Sequence, residues 1–268
     1  MSEKTVDSLN TAQTSYQQAR QQHWNSVARK LATWTSWGDA YHERLGQIYQ
    51  SLVPPGLSVL EIGCARGDLL AALKPAVGVG VDFSDQMLAA AKERHPDLRF
   101  ILADAHALVL DQKFDVIILS DLVNDLWDVQ TVLQRVAQLA TPRSRIIINS
   151  YSRLWEPILR VAEKMDLAKP TLDQNWLTVE DITGLLNLTD FEVIKQWPEI
   201  LWPLDASFFS GLCDRYLVKL WPFKYFALTN VVVARPRPQP VSSDPVVSVI
   251  VPARNEAGNV AEIFARVP

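Results

Sequence analysis

One stretch limits what this chain can fold into: Val59-Leu60-Glu61-Ile62-Gly63-Cys64-Ala65-Arg66-Gly67-Asp68-Leu69-Leu70. A short apolar run reaches an acidic residue, then a loop with Gly63, Ala65 and Gly67, then an Ala- and Leu-rich segment of helical character. That is strand, tight turn, helix, the start of a nucleotide-type crevice at the carboxyl end of a parallel strand. Small residues suit such a loop because its backbone must pass close beneath a ligand, where a side chain would collide. Taken alone, the stretch also fits an ordinary strand–helix turn.

The spacing separates two nucleotide chemistries. A dinucleotide fingerprint, G-x-G-x-x-G, requires glycine at positions 63, 65 and 68. Position 65 is Ala and position 68 is Asp, which disfavours a nicotinamide-dependent oxidoreductase.

Downstream, short apolar strands alternate with helical segments. Val77 to Asp82 reads as a second buried strand ending in an acid, and Ser84 as the cap of a helix from Asp85 to Arg94. Arg99 to Leu102 and Phe114 to Leu119 read as the third and fourth strands. The fourth is almost uniformly apolar, as expected of a strand covered on both faces. A helix from Val129 to Ala140, then Pro142, leads to a fifth strand over Arg145 to Asn149. This alternation predicts an α/β fold with a doubly wound, mostly parallel, Rossmann-like sheet. Trp155 to Leu167 reads as a helix, Thr178 to Asp181 has the form of a capping box, and Phe191 to Trp197 and Leu228 to Ala234 read as late strands. Ahead of the sheet, residues 1–50 read as an N-terminal helical cap rich in aromatics: Trp24, Trp34, Trp37, Tyr41 and Tyr49, with His23 and His42 beside them. Singly these suit core packing; as a group they suit a lid over a small-molecule pocket.

Composition removes several classes. A net charge of −4 with an acidic pI near 5.6 gives no broad basic surface for nucleic acid. The two cysteines, Cys64 and Cys213, offer neither a disulfide framework nor metal-ligand spacing, which fits a reducing compartment. The N-terminus is polar and unlike a signal peptide, and no apolar run approaches the ~20 residues of a spanning helix. A cytoplasmic location is expected, with no metal.

Asp82 stands out next, since an acid closing the second strand can accept hydrogen bonds from both hydroxyls of a ribose. With Asp104 after the third strand, three strand-end signals occur in order. Together they resemble the class I S-adenosylmethionine-dependent methyltransferases, whose motif I is hydrophobic-hydrophobic-E-x-G-x-G-x-G; Ala65 replaces the middle glycine. The resemblance covers about residues 57–235. It implies S-adenosylmethionine as cofactor and S-adenosylhomocysteine as product. It places Glu61 near the methionine amino group, and Gly63, Ala65 and Gly67 beneath the cofactor. It also implies that Phe83 and Met87 flank the adenosine, Asp104 receives the adenine amino group, Ala105 backs the adenine and Ser120 lies near the methionine end.

Many small-molecule members carry Glu-His after the fourth strand, where this chain has Asn124-Asp125 followed by Leu126-Trp127-Asp128. Methyl transfer is an in-line displacement at a sulfonium, so positioning dominates, and a base is needed only if the acceptor must lose a proton. Asp125, His42, or Tyr151 through a water are the candidates. Asp125 also fits a helix-start residue before Val129. An acceptor pocket over the carboxyl ends of the fourth and fifth strands would be lined by Trp37, Tyr41, His42, Asn124, Trp127, Asn149 and Tyr151. In the aromatic insertion from Pro198 to Ala227, Phe208, Leu212, Tyr216 and Leu220 recur at helical spacing. They suit core packing, or a lid for an apolar or lipid-linked acceptor that touches a membrane surface.

The end of the chain looks like a second beginning. Arg235-Pro236-Arg237-Pro238-Gln239-Pro240 reads as a stiff linker. A buried strand, Pro252-Ala253-Arg254-Asn255-Glu256 and a new helix then resemble the opening of family-2 glycosyltransferases. The expected organisation is therefore a cap over 1–50, a methyltransferase domain over 51–235, a Pro-rich linker over 236–245 and the incomplete start of a glycosyltransferase-like domain over 246–268. The alternative is a strand and helix docked on the first domain. The expected function is methyl transfer to a small-molecule, sugar or polyprenyl-linked acceptor, with peripheral membrane contact through the insertion. The alternative is a non-catalytic S-adenosylmethionine-binding module that scaffolds or regulates a fused glycosyltransferase.

Overall fold

In the computed structural model, residues 3–31, 38–165, 171–201, 218 and 220–238 are described. Residues 1–237 form one compact unit and residues 238–268 another. Of the readings above, Trp34, Trp37, Phe208, Leu212, Tyr216 and the glycosyltransferase-like segment lie outside the described residues.

Two helices open the first unit, α1 (Glu3–Leu31) and α2 (Gly38–Leu52). Then follow β1 (Ser58–Ile62), α3 (Asp68–Ala72), β2 (Val77–Asp82), α4 (Asp85–Arg94), β3 (Arg99–Leu102), β4 (Phe114–Ser120), α5 (Val129–Leu139), β5 (Ala140–Tyr151), α6 (Glu156–Lys164), α7 (Val179–Leu188), β6 (Phe191–Glu199) and β7 (Thr229–Pro236). They build a seven-stranded sheet in the order β3-β2-β1-β4-β5-β7-β6. β1 pairs in parallel with both β2 and β4, whereas β7 runs antiparallel between β5 and β6. Strand order therefore reverses between β1 and β4, and a sheet of this kind binds its ligand in the crevice at that reversal.

Alternation along each strand feeds two apolar layers. Leu60, Ile62, Val79, Val81, Ile117, Leu119, Ile146 and Ile148 pack on one face with α5 and α7. Val59, Val116, Ile118 and Ile147 pack on the other with α2, α3 and α4. Burial on both faces explains why the central strands read as nearly continuous apolar runs. A Cβ at Gly80 would sit 2.7 Å from Cys64 Sγ and from the Phe100 ring, so the glycine in β2 is what lets the motif loop close down on the sheet.

Local chemistry fixes the boundaries. The Ser84 hydroxyl accepts from the Met87 amide and starts α4, and Thr178 and Asp181 form a reciprocal capping box at α7. Three boundaries differ from the sequence expectation. α5 is capped by Asp128, whose side chain accepts from the Thr131 amide, so Asp125 is not its helix-start residue but lies in a preceding 3-10 turn. β5 begins at Ala140 rather than Arg145 and contains Pro142. The ladder with β4 is irregular between Phe114 and Val116, and there Ser144 Oγ donates to the Phe114 carbonyl (2.5 Å). A proline tolerates that site because the regular pairing that would need its missing N–H is interrupted. β7 extends to Pro236, which pairs with Phe191, so the first residues of the Arg-Pro repeat belong to the sheet.

Candidate functional site

The loop after β1 turns on left-handed backbone: Gly63 has φ +76°, Ala65 φ +45° and Gly67 φ +74°. Gly67 also has no room for a side chain, since a Cβ there would lie 2.7 Å from the Phe100 ring. Ala65 tolerates the same half of backbone space only with strain, on the order of 1–2 kcal/mol relative to glycine. Its amide donates to Asp82 Oδ2 and the Ser84 amide to Asp82 Oδ1, both at 2.9 Å. Asp82 thus ties the loop to the end of β2 while retaining lone pairs for a ligand. Burial raises its pKa, offset in part by the Ser84, Ala65 and Phe83 amides.

Glu61 is buried beneath the loop, and its Oε2 has no hydrogen-bond partner. Burial pushes its carboxyl up to about 8, against a smaller opposing pull from the Leu70 amide. A buried polar oxygen left unpaired is costly, and a cationic donor entering the adjoining cavity would satisfy it. That cavity measures about 1020 Å³, the upper end of small-molecule sites. It lies over the β1/β4 reversal and is lined by Glu61, Gly63, Ala65, Asp82, Phe83, Met87 and Ser120 on one side, and by Tyr41, His42, Asp121, Tyr151 and Trp155 on the other. A smaller cavity of about 300 Å³ adjoins Asp82 and Phe83 and is lined by Asp104, Ala105, Leu122 and Trp127.

α1 closes this second cavity. Gln17 Nε2 donates to Asp104 Oδ2 (2.5 Å) and Gln21 Nε2 to the Phe83 carbonyl (2.8 Å). Asp104 Oδ1 is held at 2.7 Å from His106 Nδ1. Burial works to raise the Asp104 pKa, but the His106 and Gln17 hydrogen bonds outweigh it and the carboxyl titrates below the ordinary range. Arg20 Nε reaches Asp125 Oδ1 (2.9 Å) and Trp24 Nε1 donates to Asp125 Oδ2 (2.7 Å). Burial raises Asp125, with Trp24 and Arg20 pulling it back. Both Asp125 oxygens are thereby engaged by α1.

The methyltransferase-domain family matches residues 54–200, more than half of the chain. The chain belongs to that family. A demethylmenaquinone methyltransferase of Shouchella clausii is 29% identical over 119 residues, covering 40% of this chain and 51% of the relative. A ubiquinone biosynthesis O-methyltransferase of Bradyrhizobium diazoefficiens is 31% identical over 108 residues, covering 38% and 42% respectively. The chain spans about half the length of the curated relatives it matches. Among solved structures, a methyltransferase of Thermotoga maritima, described as a possible histamine N-methyltransferase, superposes with a TM-score of 0.56 at 17% identity, covering 80% of this chain and 93% of its own. At that identity the likeness establishes the fold alone.

In this methyltransferase domain the residues named from sequence divide into three groups. Glu61, Gly63, Ala65, Asp82, Phe83, Met87, Ser120, Tyr41, His42, Asp125 and Tyr151 line the larger cavity. Asp104, Ala105 and Trp127 line only the smaller one, and Gly67 lies behind the loop against Phe100. Asn124 and Asn149 are buried and line neither cavity: Asn149 donates to Asp121 Oδ1 (2.6 Å) and so stands behind the wall, and the Asn124 carbonyl accepts from the Asn175 amide. Sequence reasoning passed over Asp121, Trp155 and the α1 side chains Gln17 and Arg20. Asp121 carried the strand-end acid signal that marks Asp82 and Asp104; Gln17 and Arg20 carried none, because their partners lie some hundred residues away in the chain.

Proposed function

We propose that this chain binds S-adenosylmethionine over the β1/β4 reversal and transfers its methyl group to a small-molecule acceptor in the chamber walled by Tyr41, Tyr151 and Trp155. The carrying observation is a single cavity. It joins a left-handed glycine loop, a buried Glu61 carboxyl with one unpaired oxygen and a strand-end Asp82 to an aromatic wall of Tyr41, Tyr151 and Trp155. Bound there, the cofactor supplies an electrophilic methyl on sulfur. The chain's own residues hold and orient: Asp82 accepts from the ribose hydroxyls, Glu61 from the methionine ammonium, Phe83 and Met87 pack on the adenosine, and Ser120 stands at the methionine end. Asp104 and Ala105 are the adenine-side residues. For Asp104 to accept the adenine amino group, Gln17 must share or leave its Oδ2.

Membership of the family and its curated relatives support this reading, and the cavity of about 1020 Å³, lined beyond the proposed cofactor contacts by Tyr41, Tyr151 and Trp155, favours catalysis over a purely cofactor-sensing module. His42 lines the chamber and remains a proposed acceptor contact. Asp125, held by Arg20 and Trp24, is better suited to anchoring α1 than to proton abstraction. A sugar- or polyprenyl-linked acceptor, and with it a glycosyltransferase fusion, rests on the sequence of residues 246–268. No described helix is long and apolar enough to cross a membrane. Peripheral contact finds its support in the exposed Leu154, Ile158, Val161 and Met165 of the α6 region. Calorimetry with S-adenosylmethionine and S-adenosylhomocysteine tests the cofactor, with binding of both expected; failure of both to bind would overturn the reading.

A further inference from the structure

The carboxyl end of β4 carries an acid that the proposed cofactor contacts do not use. Asp121 follows Ser120 with left-handed backbone, φ +51°, and its amide donates to the Asn149 carbonyl (3.1 Å). The Tyr41 hydroxyl donates to it, 2.9 Å from Oδ1 and 3.0 Å from Oδ2, and Asn149 Nδ2 donates to Oδ1 at 2.6 Å. Asn149 is itself oriented by the Tyr49 hydroxyl, which donates to its Oδ1 at 2.7 Å. The Tyr151 ring packs 5.5 Å from that of Tyr41. Burial first, and the charge of Asp121 second, drive both phenols well above their ordinary titration range, so they serve as proton donors and not as bases.

A carboxylate held by several donors is a stabilised anion and a weak base. It is poorly suited to stripping a proton from an alcohol but well suited to facing a positive charge. The surroundings agree. Tyr41, Tyr151 and Trp155 line the same chamber. Apart from Glu61 and Asp82, assigned to the cofactor, and the ion-paired Asp68, Arg66 and Asp125, its described charged lining is Glu43, Asp121, Glu163 and Asp173 against Arg160 and Lys164. Such a chamber opposes phosphorylated or carboxylated groups at the reacting end and favours cationic ones.

We infer that Asp121, oriented by Tyr41 and Asn149, is the catalytic carboxylate on the acceptor side and that the nucleophile it holds is an amine nitrogen. The inference rests on the methyl-transfer reading above and names its substrate class. The amine attacks as the free base. A nitrogen–carbon bond forms as the carbon–sulfur bond breaks; the electron pair of the broken bond stays on sulfur, and the positive charge passes from sulfur to nitrogen. The surplus proton then leaves the nitrogen to water. A fixed negative charge at the nitrogen stabilises that charge as it arrives, without any base having to be regenerated.

The test uses the full chain, S-adenosylmethionine carrying an isotope-labelled methyl group, and a bacterial small-molecule extract, with mass spectrometry locating the label. Label on nitrogen is expected, with Asp121→Asn lowering its formation ~10²-fold while calorimetric binding of S-adenosylmethionine is retained. Label on oxygen or carbon would overturn the amine assignment and leave methyl transfer standing. Undiminished nitrogen labelling by Asp121→Asn would overturn the role of Asp121. An absence of label from the wild-type protein that still binds cofactor would instead sink the methyl-transfer reading beneath it. If Asp121→Asn loses cofactor binding through misfolding, Tyr41→Phe, which removes one donor and no charge, is read in the same way: nitrogen labelling is expected to fall several-fold, and unchanged labelling counts against the assignment.

Discussion

Glu61 in β1 and Asp82, two residues beyond its ladder partner Gly80 in β2, do different work, and their chemistry can be separated by pH and by substitution. Glu61 titrates near 8 in the folded protein against an ordinary value of 4.5, because burial disfavours its charged form. A raised folded-state value means that its contribution to stability is fully present below the unfolded value and is lost as pH rises from about 4.5 through about 8. Glu61→Gln should flatten that part of the stability–pH curve in urea titrations; an unchanged slope would show that Glu61 ionises normally. A methionine ammonium beside the unpaired Oε2 favours the carboxylate, so cofactor binding at neutral pH is expected to release a proton. Calorimetry in buffers of different ionisation enthalpy reads this directly, and a binding enthalpy independent of buffer would exclude it. Asp82 is different: its oxygens already accept two amides, and its remaining lone pairs are proposed for the ribose. Asp82→Ala should weaken cofactor binding by ~2–4 kcal/mol, from two charge-assisted hydrogen bonds at ~1.5–3 each with partial compensation by water. Undiminished affinity would remove Asp82 from the cofactor site. These two acids were legible in sequence because loop and strand end are contiguous. Asp121 was an equally plain strand-end acid, but its meaning depends on Tyr41 from α2 and Asn149 from β5, and no local pattern joins those three.

At the scale of elements, strands and crossover helices could be read from apolar runs and caps, since period and capping are local properties. The docking of α1 could not. Its side chains Gln17, Arg20, Gln21, Trp24 and Asn25 are each bonded to the strand-end loops of the sheet, partners that no local pattern names. Arg20 and Asp125 carry most of the consequence, being a buried pair with side chains 7% and 9% exposed. Removing one partner of a buried pair leaves the other charge uncompensated, which costs ~3–5 kcal/mol. Arg20→Ala should therefore loosen α1 selectively: hydrogen exchange is expected to accelerate across residues 11–30 while β1, β4 and β5 keep their protection. A uniform loss of protection would mean that α1 is integral to the core, and no change would mean that the pair is energetically silent. Loosening α1 would also free Asp104 from Gln17, so Arg20→Ala should alter cofactor affinity even though Arg20 lies outside the proposed cofactor contacts.

For the whole molecule, the question is where the methyltransferase unit stops. β7 is not an edge strand: β5 pairs with it on one side and β6 on the other, through Ile146↔Ala234 and Phe191↔Pro236. The Arg237 amide still donates to the Asp190 carbonyl at 2.7 Å. Every described hydrogen bond of the sheet is therefore made by residue 237, which is also the last residue of the first compact unit. The strand and short helix expected from the sequence of residues 246–268 are too little for an independent core, so these residues are expected to contribute nothing to methyl transfer by themselves. Truncation after Pro240 removes that segment and leaves β7 intact. The shortened chain should keep its melting temperature and bind S-adenosylmethionine with unchanged Kd, and removal of the apolar run at 246–251 should reduce any association seen in sizing experiments. Loss of cofactor binding on truncation would instead assign the last residues to the first domain, and the reading of a second domain beginning near Val246 would fall with it.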